Sequence, residues 1–564
     1  MPRYQHWDFR NPHSKDLHIE NLHPIVIDVL IARGINTKSK ITKFIYPDIQ
    51  SVNDPALLPD IESASKRFYE AISNHEKIMI YGDYDADGIT ASAIVTLFLK
   101  QLNVPVECYI NDRASEGYGI SSKGIEYAIS NDFKLIITVD NGITANQEIK
   151  RAMESGIDVI VTDHHEPGKE LPGASAVIDP KRKDSVYPFP EIAGCLVAYK
   201  FCDYTRNQYK LSVNMEQLLE LVAIGSIADV MPVLNENRIF IKRGLELIRE
   251  NPLPGLNALI DISKINMAKM DTYAVGFILA PRLNAMGRLY NAKSAYRLLV
   301  SENYDEAAKI AQTLEKANRE RQKLDRGILK EAIIMAEEKV NNNYNVIILS
   351  SNTWHEGVIG IVASKITEKF NKPTILFASE DMYSKGSGRS VDGFNLYNAL
   401  SSCSKFIDAF GGHSMAAGLR IKNENIENLE NCLNKIASNI KDTPDVKSLT
   451  VDMAIPLGII NDTLYQSISY LAPFGPGNPK PIFASFNVPI KYEPRIVGNG
   501  HVKLKFSTSA GNTIDGIFFN GKEYLSEING NNVDICYTLQ ENNYMGRHSV
   551  ELNIADIRNA STKE

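Results

Sequence analysis

Asp83-Tyr84-Asp85-Ala86-Asp87-Gly88 sets three carboxylates at alternate positions of one short stretch. Carboxylates a few Å apart repel one another, and all three stay ionised cheaply only around a cation. Capping a helix explains one such acid but not three. Val139-Asp140-Asn141-Gly142 adds another acid. Asp163-His164-His165 adds an acid with two imidazoles, and Asp229 closes the apolar run from Ile224 to Ala228. Carboxylate and imidazole without thiolate suit Mn²⁺ or Mg²⁺ better than structural zinc. Two such ions about 3.5–4 Å apart can bind both the attacking and the leaving oxygens of a phosphoryl transfer. The chemistry implied is therefore hydrolysis at phosphorus. Asp140, between the other groups in chain order, is the expected bridging carboxylate.

These groups lie far apart in the chain, so a fold must gather them. Ile78 to Tyr81, Val104 to Ile110, Leu135 to Val139, Val159 to Thr162 and Ala176 to Ile178 read as short buried strands. Helical stretches such as Ile89 to Leu99, Ser122 to Ser130 and Thr144 to Ser155 lie between most of them. Alternation of this kind means an α/β fold with a mainly parallel sheet. Each of the five strands runs into a carboxylate. In open α/β sheets, ligands bind beyond the carboxyl ends of the strands, so the acids and histidines should converge there.

Five regions follow from the pattern. Residues 1–70 read as helical. Residues 71–300 form the α/β domain that carries the acids. Residues 301–340 are a connecting helix, about Asn303 to Lys339, roughly 50 Å long at 1.5 Å per residue. Gly327 is the one place where that helix could break. Residues 341–446 form a second, smaller α/β domain. Residues 447–564 carry short strands, with His501 to Phe506 strictly alternating, and suggest an OB-like β-barrel.

The formal net charge of −7 gives no global attraction to nucleic acid. Such a partner must be held by a local basic groove or by the metals. No window has the ~18 apolar residues of a membrane span, and the N-terminus lacks the apolar core of a signal peptide. Six scattered cysteines, with no CxxC pair, make structural zinc and a disulfide framework unexpected, and a reducing cytoplasm the natural setting.

Asp85-Ala86-Asp87-Gly88, Val139-Asp140-Asn141-Gly142, Asp163-His164-His165 and Asp229 occur in the order and spacing of the DHH phosphoesterase superfamily, which this chain resembles. Gly411-Gly412-His413 looks like the signature of the DHH-associated domain. Arg282-Leu283-Asn284-Ala285-Met286-Gly287-Arg288, Trp354-His355-Glu356-Gly357 and Ser387-Gly388-Arg389-Ser390 resemble segments of the RecJ-like single-strand exonucleases. The likeness runs from about residue 50 to 560. It implies a DHH domain, a DHH-associated domain and an OB-fold, with two divalent ions, Mn²⁺ or Mg²⁺, in the cleft between the lobes. The implied ligands are Asp85, Asp87, Asp140, His164 and Asp229, with His165 beside the scissile phosphate or one shell out from the ions, and Asp83 accessory. The pyrophosphatase branch has a His where Tyr81 stands here, which leaves one ion a ligand short.

The resemblance also implies substrate holders. Arg113 emerges near a strand end. Ser387 and Arg389 sit on a Gly-rich loop (Gly386, Gly388) whose backbone could approach a phosphate, and bidentate arginine suits a terminal phosphate. Arg282, Arg288 and His413 would hold the scissile or neighbouring phosphates. His355 and Glu356 are candidates for an accessory part. In the C-terminal module, Lys503 and Lys505 stand beside Phe506, Phe518, Phe519, Tyr524 and Tyr537, a mix that single-strand binding uses. Phe506 is expected in the core. Leu471 to Pro479 resembles the hinge into this module.

The implied activity is exonucleolytic hydrolysis of single-stranded DNA from its 5′ end, releasing mononucleotides, in repair and recombination. A helicase and a single-strand-binding protein are the implied partners, and a monomer is sufficient. Two other readings remain. One is an oligoribonuclease or cyclic-dinucleotide phosphodiesterase of the same superfamily. The other is a non-catalytic binding factor of replication complexes, which the complete ligand set disfavours.

Overall fold

The computed structural model describes residues 3–10, 17–113, 115–117, 119–438, 448–508, 511–528, 532–544 and 547–560. The chain forms two compact units. One is Asp54–Asp229 with Gly244–Asp445, and the other is Met1–Asn53 with Val230–Arg243 and Val446–Glu564.

In the first unit, β1 (Ile78–Gly82), β2 (Val106–Ile110), β3 (Leu135–Val139), β4 (Asp158–Thr162) and β5 (Ala176–Ile178) make one all-parallel sheet. Its order is β2-β1-β3-β4-β5. β1 and β3 are buried at every position. Their continuous apolar runs suit strands covered on both faces, which parallel sheets require. The strand order reverses between β1 and β3, and at such a switch point a crevice opens beyond the strand ends. α1 (Ala86–Gln101) leaves β1 there and packs on α2 (Gly194–Tyr209) and α3 (Leu219–Ala228).

α4 (Ala280–Leu289) leads through a short helix to α5 (Tyr304–Asn341), 38 residues without a break. Nothing lies within 4 Å of where a Cβ on Gly327 would stand, so the glycine is not needed there. Its cost of about 1 kcal/mol is borne by the packed stripe of Ala307, Ala311, Leu314, Ile328, Ala332 and Ala336. The second lobe is a mixed sheet of β6 (Ile347–Ser351), β7 (Thr374–Ser379), β8 (Tyr383–Arg389), β9 (Ala409–Gly412) and β10 (Ala416–Lys422), in the order β9-β10-β8-β7-β6. α6 (Glu356–Phe370) follows β6.

Three expectations change. Residues 1–70 are not all helical, because His6–Phe9 is a strand paired in parallel with Ser448–Val451. The helices of this segment also bury Val26, Leu30, Ile41 and Ile45 in one core with Val502, Phe506, Val533 and Tyr537. The start of the chain therefore belongs with its end. Second, Cys403 and Cys432 form a disulfide across 29 residues, Cα–Cα 6.3 Å. Their spacing carries no signal, because the fold alone brings the end of one short helix against another. Third, Leu471 to Pro479 lies inside the second unit rather than at its edge.

The C-terminal strands Phe483–Pro489, His501–Ser507, Thr513–Phe518, Asn532–Tyr544 and Arg547–Asn559 pair in the order first, fourth, fifth, third, second. A bridge between Ile490 and Phe506 returns the second strand to the first and closes an OB-like barrel. Phe506, Phe518 and Tyr537 fill it and cannot meet a base, whereas Phe519 is 44% exposed beside His501. Tyr492, at 59% exposure, is an outward ring that pattern reading passed over.

Arg238 organises the Leu471–Pro479 loop. Its buried guanidinium donates to the carbonyls of Leu471, Pro473, Ala472, Tyr470 and Phe44 at 2.8–3.3 Å. It also lies 3.9 Å from the centre of the Phe44 ring, and burial pulls its pKa down to about 9. Each buried acceptor left without a donor costs about 1–3 kcal/mol. Arg238→Ala should therefore lower the stability of this unit by at least ~3 kcal/mol. Urea unfolding followed by Trp7 fluorescence, in a Trp354→Phe background, checks it; an unchanged midpoint would contradict the clamp.

Candidate metal centre

The acid-rich loop lies where β1 hands over to α1. Asp85 is the N-cap of α1, accepting from Asp87 N at 2.9 Å and Gly88 N at 3.1 Å. Capping thus accounts for one acid, and Asp83 and Asp87 remain, both buried. A Cβ on Gly88 would stand 2.7 Å from Asp83 Cβ, so close approach of the loop, not a special φ, demands glycine there.

Asp140, directly after β3, takes left-handed backbone with φ +61° and is anchored by its N–H to Thr162 O at 3.0 Å. Asn141 donates to the carbonyls of Tyr81 and Val139, tying the ends of β1 and β3 together. After β4, Asp163 accepts from His164 N, His165 N and Ile143 N, and its Oδ1 lies 2.8 Å from His165 Nδ1. Asp163 is thereby saturated and serves to fix the loop. Asp229 is the C-cap of α3.

These elements converge. His164 Nε2 lies 3.1 Å from Asp140 Oδ1, 3.6 Å from Asp229 Oδ2 and 3.8 Å from Asp87 Oδ2. Three sets of ligand atoms fall within 4.8 Å of one another: Asp83-Asp85-Asp140, Asp87-His164-Asp229 and Asp140-His164-His165. The first two share no residue, so two cations could each have three side chains. Asp140 stands in the first and third sets, touching both halves, as a bridging carboxylate must. Asp83 supplies the third oxygen of its set. Tyr81 turns instead to Asn111 and Ser121.

Electrostatics favour bound cations. Asp83 Oδ1, Asp140 Oδ1, His164 Nδ1 and Asp229 Oδ2 are buried without a hydrogen bond. Burial, then the charge of Asp87, pushes Asp140 well above the usual carboxylate range. Burial, then Asp85, does the same to Asp83. Asp229 is pushed up to about 8, by burial and then by Asp87. Burial lowers the His164 pKa, which suits a neutral imidazole ligand. His165 behaves oppositely: burial lowers it, but the hydrogen bond and charge of Asp163 win and raise it to about 9.

A cleft of about 1240 Å³ opens beside this cluster, with Asp163, His165 and Gly142 on one side and Tyr397, Phe410, Gly411, Gly412 and His413 on the other. Gly412, at φ +138°, would bring a Cβ within 2.3 Å of Ala416 O, so the Gly-Gly-His turn admits no side chain there.

The expected substrate holders divide. Arg113, Arg288 and Arg389 come together. The Arg288 pKa falls to about 10 and that of Arg389 falls too, each through burial first and then the charge of Arg113. Arg389 donates to Ser387 Oγ at 3.2 Å and Gly388 O at 2.7 Å. Arg113 repels both of the others, and guanidiniums so placed ask for an anion. Arg282 is engaged elsewhere, with Glu315 at 2.8 Å and Ile278 O at 2.6 Å. His355 caps α6 by accepting from Gly357 N at 3.0 Å, and Glu356 pairs with Lys385 at 2.6 Å. Ser387 and Arg389 lie on strand β8, not on a loop. Its glycines make room for packing instead: a Cβ on Gly386 would meet Phe377 at 2.4 Å, and one on Gly388 would meet Leu396 at 2.8 Å.

Comparison with known proteins agrees with this geometry. Residues 77–226 match the DHH family N-terminal domain, 343–442 the DHHA1 domain, and 451–556 the RecJ OB domain. The single-stranded-DNA-specific exonuclease RecJ of Bacillus subtilis is 37% identical over 559 residues, covering 98% of this chain and 70% of that protein. The chain belongs to the RecJ exonuclease family. RecJ of Escherichia coli is 31% identical over 561 residues, covering 95% of this chain and 96% of that one. The crystal structure of RecJ with Mn²⁺ from Thermus thermophilus superposes with a TM-score of 0.82 at 26% identity, covering 99% of this chain and 80% of that one.

Sequence reading missed two contributions to this RecJ-family site. Gly194 N and Cys195 N, opening α2, donate to Asp87 Oδ2 at 2.7 Å and Oδ1 at 2.9 Å. Backbone donors carry no residue-type signal. Asn284 Oδ1, which accepts from Ala86 N at 2.7 Å, is a second.

The raised carboxylates set a pH dependence. A carboxyl whose pKa is raised by folding holds a proton that the unfolded chain releases. Without metal, the contribution of Asp229 to stability therefore falls as pH rises from about 4 to about 8. A cation replaces that proton, so the Mn²⁺-induced rise in Tm should be small at about pH 5.5 and larger at about pH 8. Thermal unfolding with and without Mn²⁺ checks it; a shift independent of pH would contradict the account.

Proposed function

We propose that this chain is a metal-dependent exonuclease that degrades single-stranded DNA from its 5′ end and releases mononucleotides. The observation that carries the reading is the convergence of Asp83, Asp85, Asp87, Asp140, His164 and Asp229 into two sets of ligand atoms beside a cleft. Family membership supports it, and the orphaned buried oxygens fit cations.

Asp83, Asp85 and Asp140 would hold one divalent ion, Mn²⁺ or Mg²⁺, and Asp87, His164 and Asp229 the other. When bound, such ions polarise a phosphoryl oxygen and lower the pKa of water. The remaining work belongs to side chains. Arg113, Arg288 and Arg389 hold phosphate oxygens, and with Ser387 they form the pocket for the terminal 5′-phosphate that sets polarity. His165, kept protonated through neutral pH by Asp163, donates to an oxygen of the scissile phosphate. His413, across the cleft, contacts the same strand. Arg282, His355 and Glu356 act through structure.

The extents proposed for the modules are 71–300 for the DHH domain, 301–340 for the connecting helix, 341–446 for the DHH-associated domain and 447–564 for the OB-fold. Lys503, Phe519 and Tyr492 make the last a holder of single strands. A monomer in the cytoplasm, working on strands opened by a helicase and covered by a single-strand-binding protein, completes the proposal. Among the described residues no helix is long and apolar enough to cross a membrane.

Single strands labelled at one end or the other, incubated with Mn²⁺, test the polarity. Labelled mononucleotide should appear at once from 5′-labelled strands and last from 3′-labelled ones. Arg389→Ala should reduce the preference for a 5′-phosphate over a 5′-hydroxyl about ten- to a hundredfold, the worth of one hydrogen bond to a charged group. The opposite order of release would overturn the polarity, and an unchanged preference would remove Arg389 from the pocket.

A further inference from the structure

We infer that Gly194 is a positioning residue that sets the spacing between the acid sets of β1 and β3; this rests on the two-cation reading above. Gly194 acts on two acids at once. To Asp87 it gives its N–H, 2.7 Å from Oδ2, while Cys195 N takes Oδ1 at 2.9 Å. To Asp140 it gives empty space. A Cβ on Gly194 would stand 2.6 Å from Asp140 Cβ, 2.7 Å from its Oδ1 and 2.9 Å from its Cα. Asp140 is 2% exposed, and its Oδ1 makes no hydrogen bond.

Neither acid can move away. Asp140 has left-handed backbone and is tied to Thr162 O. Asp87 is closed in by α3 as well: a Cβ on Gly225 would stand 2.8 Å from Asp87 Oδ1 and 2.5 Å from Cys195 Sγ. A carboxylate oxygen has two lone pairs, so each oxygen of Asp87 can accept an N–H and still face a cation. The start of α2 thus orients Asp87 by hydrogen bonds and fixes how near Asp140 comes by contact. A methyl group at position 194 must push Asp140 aside or lift α2 off Asp87. Either displacement changes the distance between the two cation sets without replacing a ligand.

The test is Mn²⁺ binding to the full chain by calorimetry, with electron paramagnetic resonance to read whether two Mn²⁺ ions are magnetically coupled. Wild type should bind two coupled ions; if it does not, the two-cation reading itself fails. Gly194→Ala should keep its fold by circular dichroism, lose about 10–100-fold in Mn²⁺ affinity, the usual effect of removing an outer-shell partner, and lose the coupled signal. Gln208→Gly, which loosens the last turn of the same helix, should lower Tm while both Mn²⁺ readouts stay at wild-type values. A folded Gly194→Ala with wild-type affinity and coupling would overturn the inference. Should that variant not fold, hydrogen exchange decides. Asp87→Asn should speed exchange at Gly194 and Cys195 about tenfold or more, the worth of one hydrogen bond to a charged group, and leave the rest of α2 unchanged. Unaltered exchange there would overturn the inference equally.

Discussion

Five carboxylates crowd one partly dry volume, and only imported positive charge lets them remain ionised together. Burial penalises each ionised acid, and each neighbour adds to the penalty, which is why Asp83, Asp85, Asp140 and Asp229 all titrate upward. A fold that sought only stability would not place them so. The parallel sheet supplies the rigidity that makes the crowding tolerable. Its strands are covered on both faces, and its switch point puts the ends of β1 and β3 side by side.

Around that cluster the protein spends mostly backbone and uncharged groups on orientation. Asn141 ties two strand ends, Asp163 saturates its own loop, and the opening turn of α2 holds Asp87. Asp83 Oδ1, Asp140 Oδ1 and Asp229 Oδ2 are left buried without a hydrogen bond. Beside the acid loop stand positive charges: Arg113 faces Asp83 and the Tyr84 ring, Arg288 feels Asp85, and, after burial, Arg113 lowers the pKa of both Arg288 and Arg389. Guanidiniums next to an acid cluster that calls for cations suit an anionic phosphate group.

Much of this was legible in the chain. Short apolar runs ending in Asp mark β1, β3 and β4, because a buried parallel strand needs continuous apolar residues and its end is where polar groups return. Asp85, Asp87, Asp140, His164 and Asp229 do come together. What stayed hidden depends on backbone or on distant partners. The left-handed Asp140 and the N–H groups of Gly194 and Cys195 have no residue-type signature. Gly386 and Gly388 suggested a phosphate loop, yet they sit in a strand and admit Phe377 and Leu396. Arg282 matches a motif but is bound to Glu315. The pairing of His6–Phe9 with Ser448–Val451, and of Cys403 with Cys432, joins segments that no local pattern connects.

Anomalous scattering from crystals grown with manganese addresses the core of the account. Two peaks should stand between the ends of β1 and β3, one ringed by Asp83, Asp85 and Asp140, the other by Asp87, His164 and Asp229. Ordered side chains in the present arrangement with no anomalous density among them would contradict it.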